Sequence, residues 1–137
     1  VLKIARGVRP DWSCLRVQDL DAGWQLTDTP PGAWASPEQA PPADAGWLDV
    51  GEPGPVAALL RRLGDARLDR PGFRLDGQDW WFRVSFQPEG DQGAQGSLLP
   101  WALCLDGVAT LAQAWLNGQP LALQPDMHLA QQLPVQH

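Results

Sequence analysis

At 137 residues, with 44% apolar residues and eight tryptophans, the chain is long enough to bury a core of its own and too hydrophobic to remain disordered. A formal charge of −6 argues against nucleic acid or an anionic membrane surface as partner, since both lean on Lys and Arg. No apolar run approaches the ~20 residues of a spanning helix, and 14 Gly with 14 Pro favour strands joined by turns over a helical bundle.

In chain order, Trp12, Cys14, Leu15, Val17 and Leu20, then Trp24 and Leu26, give at least one strand ending near the Asp21-Ala22-Gly23 turn. Thr29 to Gly46 is rich in Pro and Ala, and its prolines remove donors from any ladder, so it reads as a surface loop. Trp34 lies in its middle, either tucked against the sheets or available to stack on a ligand. Trp47-Leu48-Asp49-Val50 is a short strand candidate ended by Gly51-Glu52-Pro53-Gly54-Pro55. Val56, Leu59, Leu60 and Leu63 then fall on one helical face, with Pro55 suited to the first turn and Gly64 to the C-terminal cap. Leu68 to Gln78 reads as another loop.

The strongest signals follow. Trp80, Phe82, Val84 and Phe86 alternate with Trp81, Arg83 and Ser85, the period of a strand with one face in a core. Trp101, Leu103 and Leu105 repeat that period, after a Gly-rich connection from Pro88 to Gly96. Leu111, Gln113 and Trp115 lead to Asn117-Gly118, a pair that tolerates the two positive φ angles of a type I′ hairpin turn. Leu121 and Leu123 begin the return strand. On this alternation Trp80, Phe82, Val84, Phe86, Leu103 and Leu105 are expected between two antiparallel sheets, with Trp81 and Arg83 on the outer face.

Asp79-Trp80-Trp81-Phe82-Arg83, Leu105-Asp106-Gly107-Val108-Ala109-Thr110-Leu111-Ala112 and Ala114-Trp115-Leu116-Asn117-Gly118 resemble, in order and spacing, the sugar-binding-like N-terminal domain of glycoside hydrolase family 2, especially its β-mannosidase-like members. Gly23-Trp24-Gln25-Leu26 stands where that domain's opening strand lies, which makes Trp24 a core residue. Glu52-Pro53-Gly54-Pro55-Val56 matches the family's Val-Pro-Gly-Thr-Val and the short helix after it, with Pro55 in place of Thr. Asp126-Met127-His128 departs from the family's Asn-Met-Phe. The resemblance implies an all-β fold, a jelly-roll β-sandwich of the galactose-binding-domain-like class with one short helix. It further implies a single domain over 1–137, a fragment of a larger multidomain glycosidase possessing one or two more strands than this chain.

The same resemblance sets the functional expectation. In family 2 the acid/base and nucleophile are glutamates of a separate (β/α)₈ barrel, and nothing here builds a barrel. The chain is therefore expected to be a non-catalytic accessory domain that supports the barrel of its own polypeptide and shapes the substrate entrance, with a stand-alone carbohydrate-binding module as the alternative. No catalytic residue is assigned. His128 and His137 are the only histidines and lack the spacing of a metal site or a triad, and Gly90-Asp91-Gln92-Gly93 lacks the Lys and Ser/Thr of a phosphate loop, so no metal or cofactor is expected. Oligosaccharide remains a partner by residue chemistry, because aromatic rings pack on sugar C–H faces and amides pair with hydroxyls. Trp80, Trp101 and Trp115 keep step with strand alternation and read as core, which leaves Trp34, Trp47 and Trp81 as candidate binding residues. Cys14 and Cys104, ninety positions apart, read as a thiol pair or, in an exported chain, a disulfide. The chain opens on Val1 and shows no leader, so both cytoplasmic and exported locations stay open.

Overall fold

The computed structural model describes the backbone of residues 2–8, 13–40, 46–88, 101–109 and 111–135, and side chains from residue 17 onward. Trp12 and most of the Gly-rich connection lie outside these residues. Among them the strands are β1 (Leu2–Val8), β2 (Ser13–Asp19), β3 (Trp24–Thr29), β4 (Leu48–Gly51), β5 (Asp79–Arg83), β6 (Trp101–Leu105), β7 (Ala114–Leu116), β8 (Gln119–Leu121) and β9 (Gln131–Val135), with one α-helix, α1 (Val56–Leu63). Every strand pair is antiparallel. Two compact units divide the chain, residues 21–85 and residues 1–20 with 86–137.

The unit formed by the chain's two ends carries a four-stranded sheet in the order β2-β1-β6-β9 and the β7-β8 hairpin. β6 lies between two strands, and Trp101, Ala102 and Leu103 in succession are 2%, 0% and 7% exposed, so both of its faces are covered at that end. β9 is an edge strand, which is where Pro134, lacking a donor, can be accommodated. Gln131 is 5% exposed yet satisfied: its Oε1 accepts from the Gln124 backbone N–H at 2.7 Å and its Nε2 donates to the Gln124 carbonyl at 3.0 Å. Asn117 and Gly118 adopt φ of 50° and 78°, the hairpin turn their types require. Pairing through β1 aligns Cys14 with Gly7 and Cys104 with Lys3. At ~3.3 Å per residue and ~4.8 Å per strand, the two Cα atoms are roughly 16 Å apart. A disulfide needs less than about 7 Å, so that alternative is excluded.

The other unit is built on a three-stranded sheet, β4-β3-β5. Trp24 and Leu26 of β3 are buried, at 9% and 0% exposure, as is Val50 of β4. α1 begins after Pro55, whose carbonyl accepts from Ala58 and Leu59, and stops at Gly64 with φ 69°, a left-handed cap. Leu59 and Leu60 are buried, whereas Leu63, expected on the same face, is 42% exposed at the helix end. The expected loop from Leu68 to Gln78 contains two short 3₁₀ turns, Ala66–Asp69 and Leu75–Gly77. Here Arg67 is the fastening residue. Its guanidinium donates to Asp65 and to Asp28 of β3, both at 2.8 Å, and lies 5.7 Å and 5.8 Å from the Phe73 and Trp80 ring centroids.

Two expectations need correction. The strand expected to reach Phe86 ends at Arg83, and all five residues of β5 are half-buried instead of alternating between core and solvent. The cause is that both faces of this sheet are covered: Arg67 lies beside Trp80 on one side, and the Trp34 ring of the loop packs on Trp81 on the other. Leu111, expected in a strand, is 96% exposed, and β7 begins only at Ala114.

Candidate functional site

Register places the candidate site. β3 pairs with β5 so that Gln25 faces Arg83, Thr27 faces Trp81 and Thr29 faces Asp79. Directly paired residues share a face of the sheet. Gln25, Thr27, Thr29, Trp81 and Arg83 therefore occupy one side, and Asp49 joins them from β4 opposite Gln25. Trp24, Leu26, Trp80 and Phe82 occupy the other.

The three candidate tryptophans, widely separated in sequence, meet on this side. Trp34 packs against both of the others, its ring centroid 5.3 Å from that of Trp81 with planes tilted by 55°, and 6.4 Å from that of Trp47 with a tilt of 36°. Trp34 is carried there by a loop tied down at several points. The Gly32 backbone N–H donates to Asp79 at 2.8 Å, and Ala35 N–H donates to Gln39 at 2.7 Å beside the 3₁₀ turn Pro37–Gln39. Farther along, the Thr27 hydroxyl donates to the Gly46 carbonyl at 2.8 Å, and the Trp81 indole N–H donates to Thr29 Oγ1 at 3.3 Å. Unlike Trp24 and Trp101, which are buried, each ring of this trio is half-buried and keeps surface in contact with water.

Alongside the rings runs a polar relay across three strands. Arg83 Nε donates to Gln25 Oε1 at 2.9 Å, and Gln25 Nε2 donates to Asp49 Oδ1 at 2.8 Å. The Arg83 guanidinium lies over Trp47, its carbon 3.9 Å from the ring centroid, a close cation–π contact. Gly23, Gln25, Arg83, Val84 and Ser85 line an open cleft of about 340 Å³ next to this relay. Sequence reasoning passed over Gln25, Asp49 and Arg83. The signal for Arg83 was its position two residues beyond Trp81, on the same face of the strand. No such local signal existed for Gln25 and Asp49, whose roles depend on pairing.

The arrangement offers ring faces and neutral hydrogen-bonding groups, with its charges committed to internal partners. Among the described residues no cluster of three His, Cys, Asp or Glu is placed to hold a metal ion. Among the described residues no helix is long and apolar enough to cross a membrane.

Residues 24–137 match the family described as glycosyl hydrolase 2 galactose-binding domain-like, which takes in every residue of the β3-β5 face and of the ring cluster. No curated protein and no solved structure matches the chain. The antiparallel sheets and single α-helix among the described residues agree with the galactose-binding-like β-sandwich of that family.

Proposed function

Because the chain belongs to the glycosyl hydrolase 2 galactose-binding domain-like family, we propose that it is the non-catalytic accessory domain of a β-mannosidase-like family 2 enzyme, supporting a catalytic (β/α)₈ barrel in the same polypeptide and shaping the entrance to its substrate site. The observation that carries this reading is the family match over 114 of 137 residues, counted from 24 to 137. In this reading 1–137 acts as one β-sandwich domain, and the β-mannosidase-like assignment rests on the Asp79–Arg83, Leu105–Ala112 and Ala114–Gly118 motifs.

The test compares this chain with the polypeptide encoded by the gene beyond His137. The chain alone is expected to release no nitrophenol from any aryl glycoside, while the longer polypeptide cleaves aryl β-mannoside in preference to β-galactoside and β-glucuronide. Turnover by the chain alone that survives repurification, and disappears when one of its own carboxylates is replaced, overturns the accessory role. A different sugar preference in the longer polypeptide overturns the β-mannosidase-like assignment only.

A further inference from the structure

We propose that Asn117 is a modification site: its side-chain amide is lost as ammonia through a cyclic imide formed with Gly118, and the product loosens the β7-β8 hairpin as the protein ages. Asn117 is the only asparagine of the chain, and the glycine after it has no side chain to shield its nitrogen. Both residues are exposed. Among the described residues neither the Gly118 N–H nor the Asn117 side-chain amide has a hydrogen-bond partner, so the nucleophile and the electrophile are both unengaged. Ring closure requires the Asn117 backbone, at φ 50° in the turn, to swing out of that conformation, so its rate is set by how readily the hairpin opens. The fold makes opening easy. β7 and β8 are three residues each and, among the described residues, pair only with each other, while Gln119 and Pro120 are exposed. A two-stranded ladder this short is marginal by itself and belongs to the parts of a protein that open locally.

The step balances with water as the only co-reactant. The Gly118 nitrogen gives its proton to water and attacks Asn117 Cγ, closing a five-membered ring; the Cγ–Nδ2 bond breaks, and Nδ2 leaves as ammonia with a proton from solvent. Water then opens the ring. Attack at Cγ breaks the bond just formed and leaves an ordinary aspartate, whereas attack at the main-chain carbonyl carbon breaks the original peptide bond and leaves isoaspartate, with the chain running through Cβ and Cγ. Nothing is oxidised or reduced. Both products carry a carboxylate in place of a neutral amide, and isoaspartate adds a methylene to a two-residue turn whose length sets the pairing of Leu116 with Gln119. The two Asp-Gly pairs, which could close the same ring, are better protected. The Gly77 N–H donates to the Arg74 carbonyl at 3.2 Å, Asp76 is paired with Arg74 at 2.7 Å, and Gly107 packs against the Met127 carbonyl, which a Cβ there would meet at 3.1 Å.

This inference does not depend on the accessory role. The experiment holds the full chain folded in mildly alkaline buffer at physiological temperature, beside the same chain unfolded in urea. Ammonia release is followed together with peptide mass spectrometry that separates aspartate from isoaspartate. Expected is conversion led by position 117, slower in the folded chain than in urea by roughly ten- to a hundredfold, the factor a weakly held hairpin gives. Hydrogen exchange in the isoaspartate product should show lost protection across β7 and β8. Asn117→Gly keeps the turn, because Gly-Gly suits the same pair of φ angles, and should lose the ammonia signal. Retention of the amide in the folded chain over the time in which the unfolded chain converts completely overturns the proposal. So does isoaspartate that accumulates at Asp76 or Asp106 ahead of position 117, or ammonia release that persists undiminished in Asn117→Gly. Unchanged exchange in the isoaspartate product overturns the loosening of the hairpin.

Discussion

Arg67 shows how one side chain can hold a segment that has little regular structure. It joins the Ala66–Asp69 turn to β3 through Asp28, donates to the Asp65 carboxylate through both Nε and Nη2, and lies beside Phe73 and Trp80. Its side chain is 27% exposed, and those of Asp28 and Asp65 are 23% and 15%, so solvent screens this network only partly. Arg67→Ala removes the cation from between two carboxylates as well as its ring contacts, and is expected to cost about 2–3 kcal/mol in a urea titration. Arg74 and Asp76 make a pair of similar geometry, but at 75% and 70% exposure its removal should leave the unfolding midpoint unchanged. The sign of the pH dependence follows from Asp65. Its pKa is lowered in the folded chain, chiefly by the Arg67 side chain, so the stability it contributes is fully present above the unfolded value of about 3.9 and is lost as pH falls through the folded value. Unfolding titrations from neutral to acid pH should show a loss below about pH 4 that shrinks in Asp65→Asn.

Among the elements, α1 is the one whose boundaries and packing can be tested most cleanly. Its N-terminus follows from Pro55, which has no N–H to leave unpaired, and its C-terminus from Gly64 at φ 69°. A Cβ at Gly64 would meet no atom within 4 Å, so Gly64→Ala tests backbone conformation alone and should cost about 1 kcal/mol. Leu60, fully buried, should cost about 3 kcal/mol on truncation to Ala, whereas Leu63→Ala, at 42% exposure, should cost well under half of that. Equal losses from the two leucines would mean that the apolar stripe is buried along its whole length. The sequence announced this helix because its periodicity and both end signals are local. It did not announce β1 or β9, whose residues alternate weakly and become strands by pairing with β6 on either side.

For the molecule as a whole, the four-stranded unit leaves several large apolar side chains in water: Val17 at 53%, Leu111 at 96%, Met127 at 51% and Leu129 at 46%. Leu111 has almost nothing to lose on substitution within this chain, so Leu111→Ser should shift its stability by less than about 0.5 kcal/mol in a thermal melt. If the accessory role holds, the same substitution in the longer polypeptide should weaken the hold of this domain on its neighbour, read as faster hydrogen exchange in the 106–130 segment. Equal behaviour in the two polypeptides would separate Leu111 from any domain contact.

What the sequence determined by itself was whatever is encoded over short distances. The Asn117-Gly118 turn, the limits of α1, the all-β class and the motif order that resembles family 2 are each written in consecutive residues, where backbone preference and side-chain period act without help from the rest of the chain. Composition likewise singled out Trp34, Trp47 and Trp81 by subtraction, as the rings left over once strand alternation had claimed others. Their meeting on one face was decided by tertiary structure. It depends on the β3-β5 register and on a Pro-rich loop folding back over it, which are contacts between residues tens of positions apart. The same long-range pairing ruled out the Cys14–Cys104 disulfide and erased the expected alternation of β5, because burial depends on what covers each face of a strand and period alone does not specify the cover.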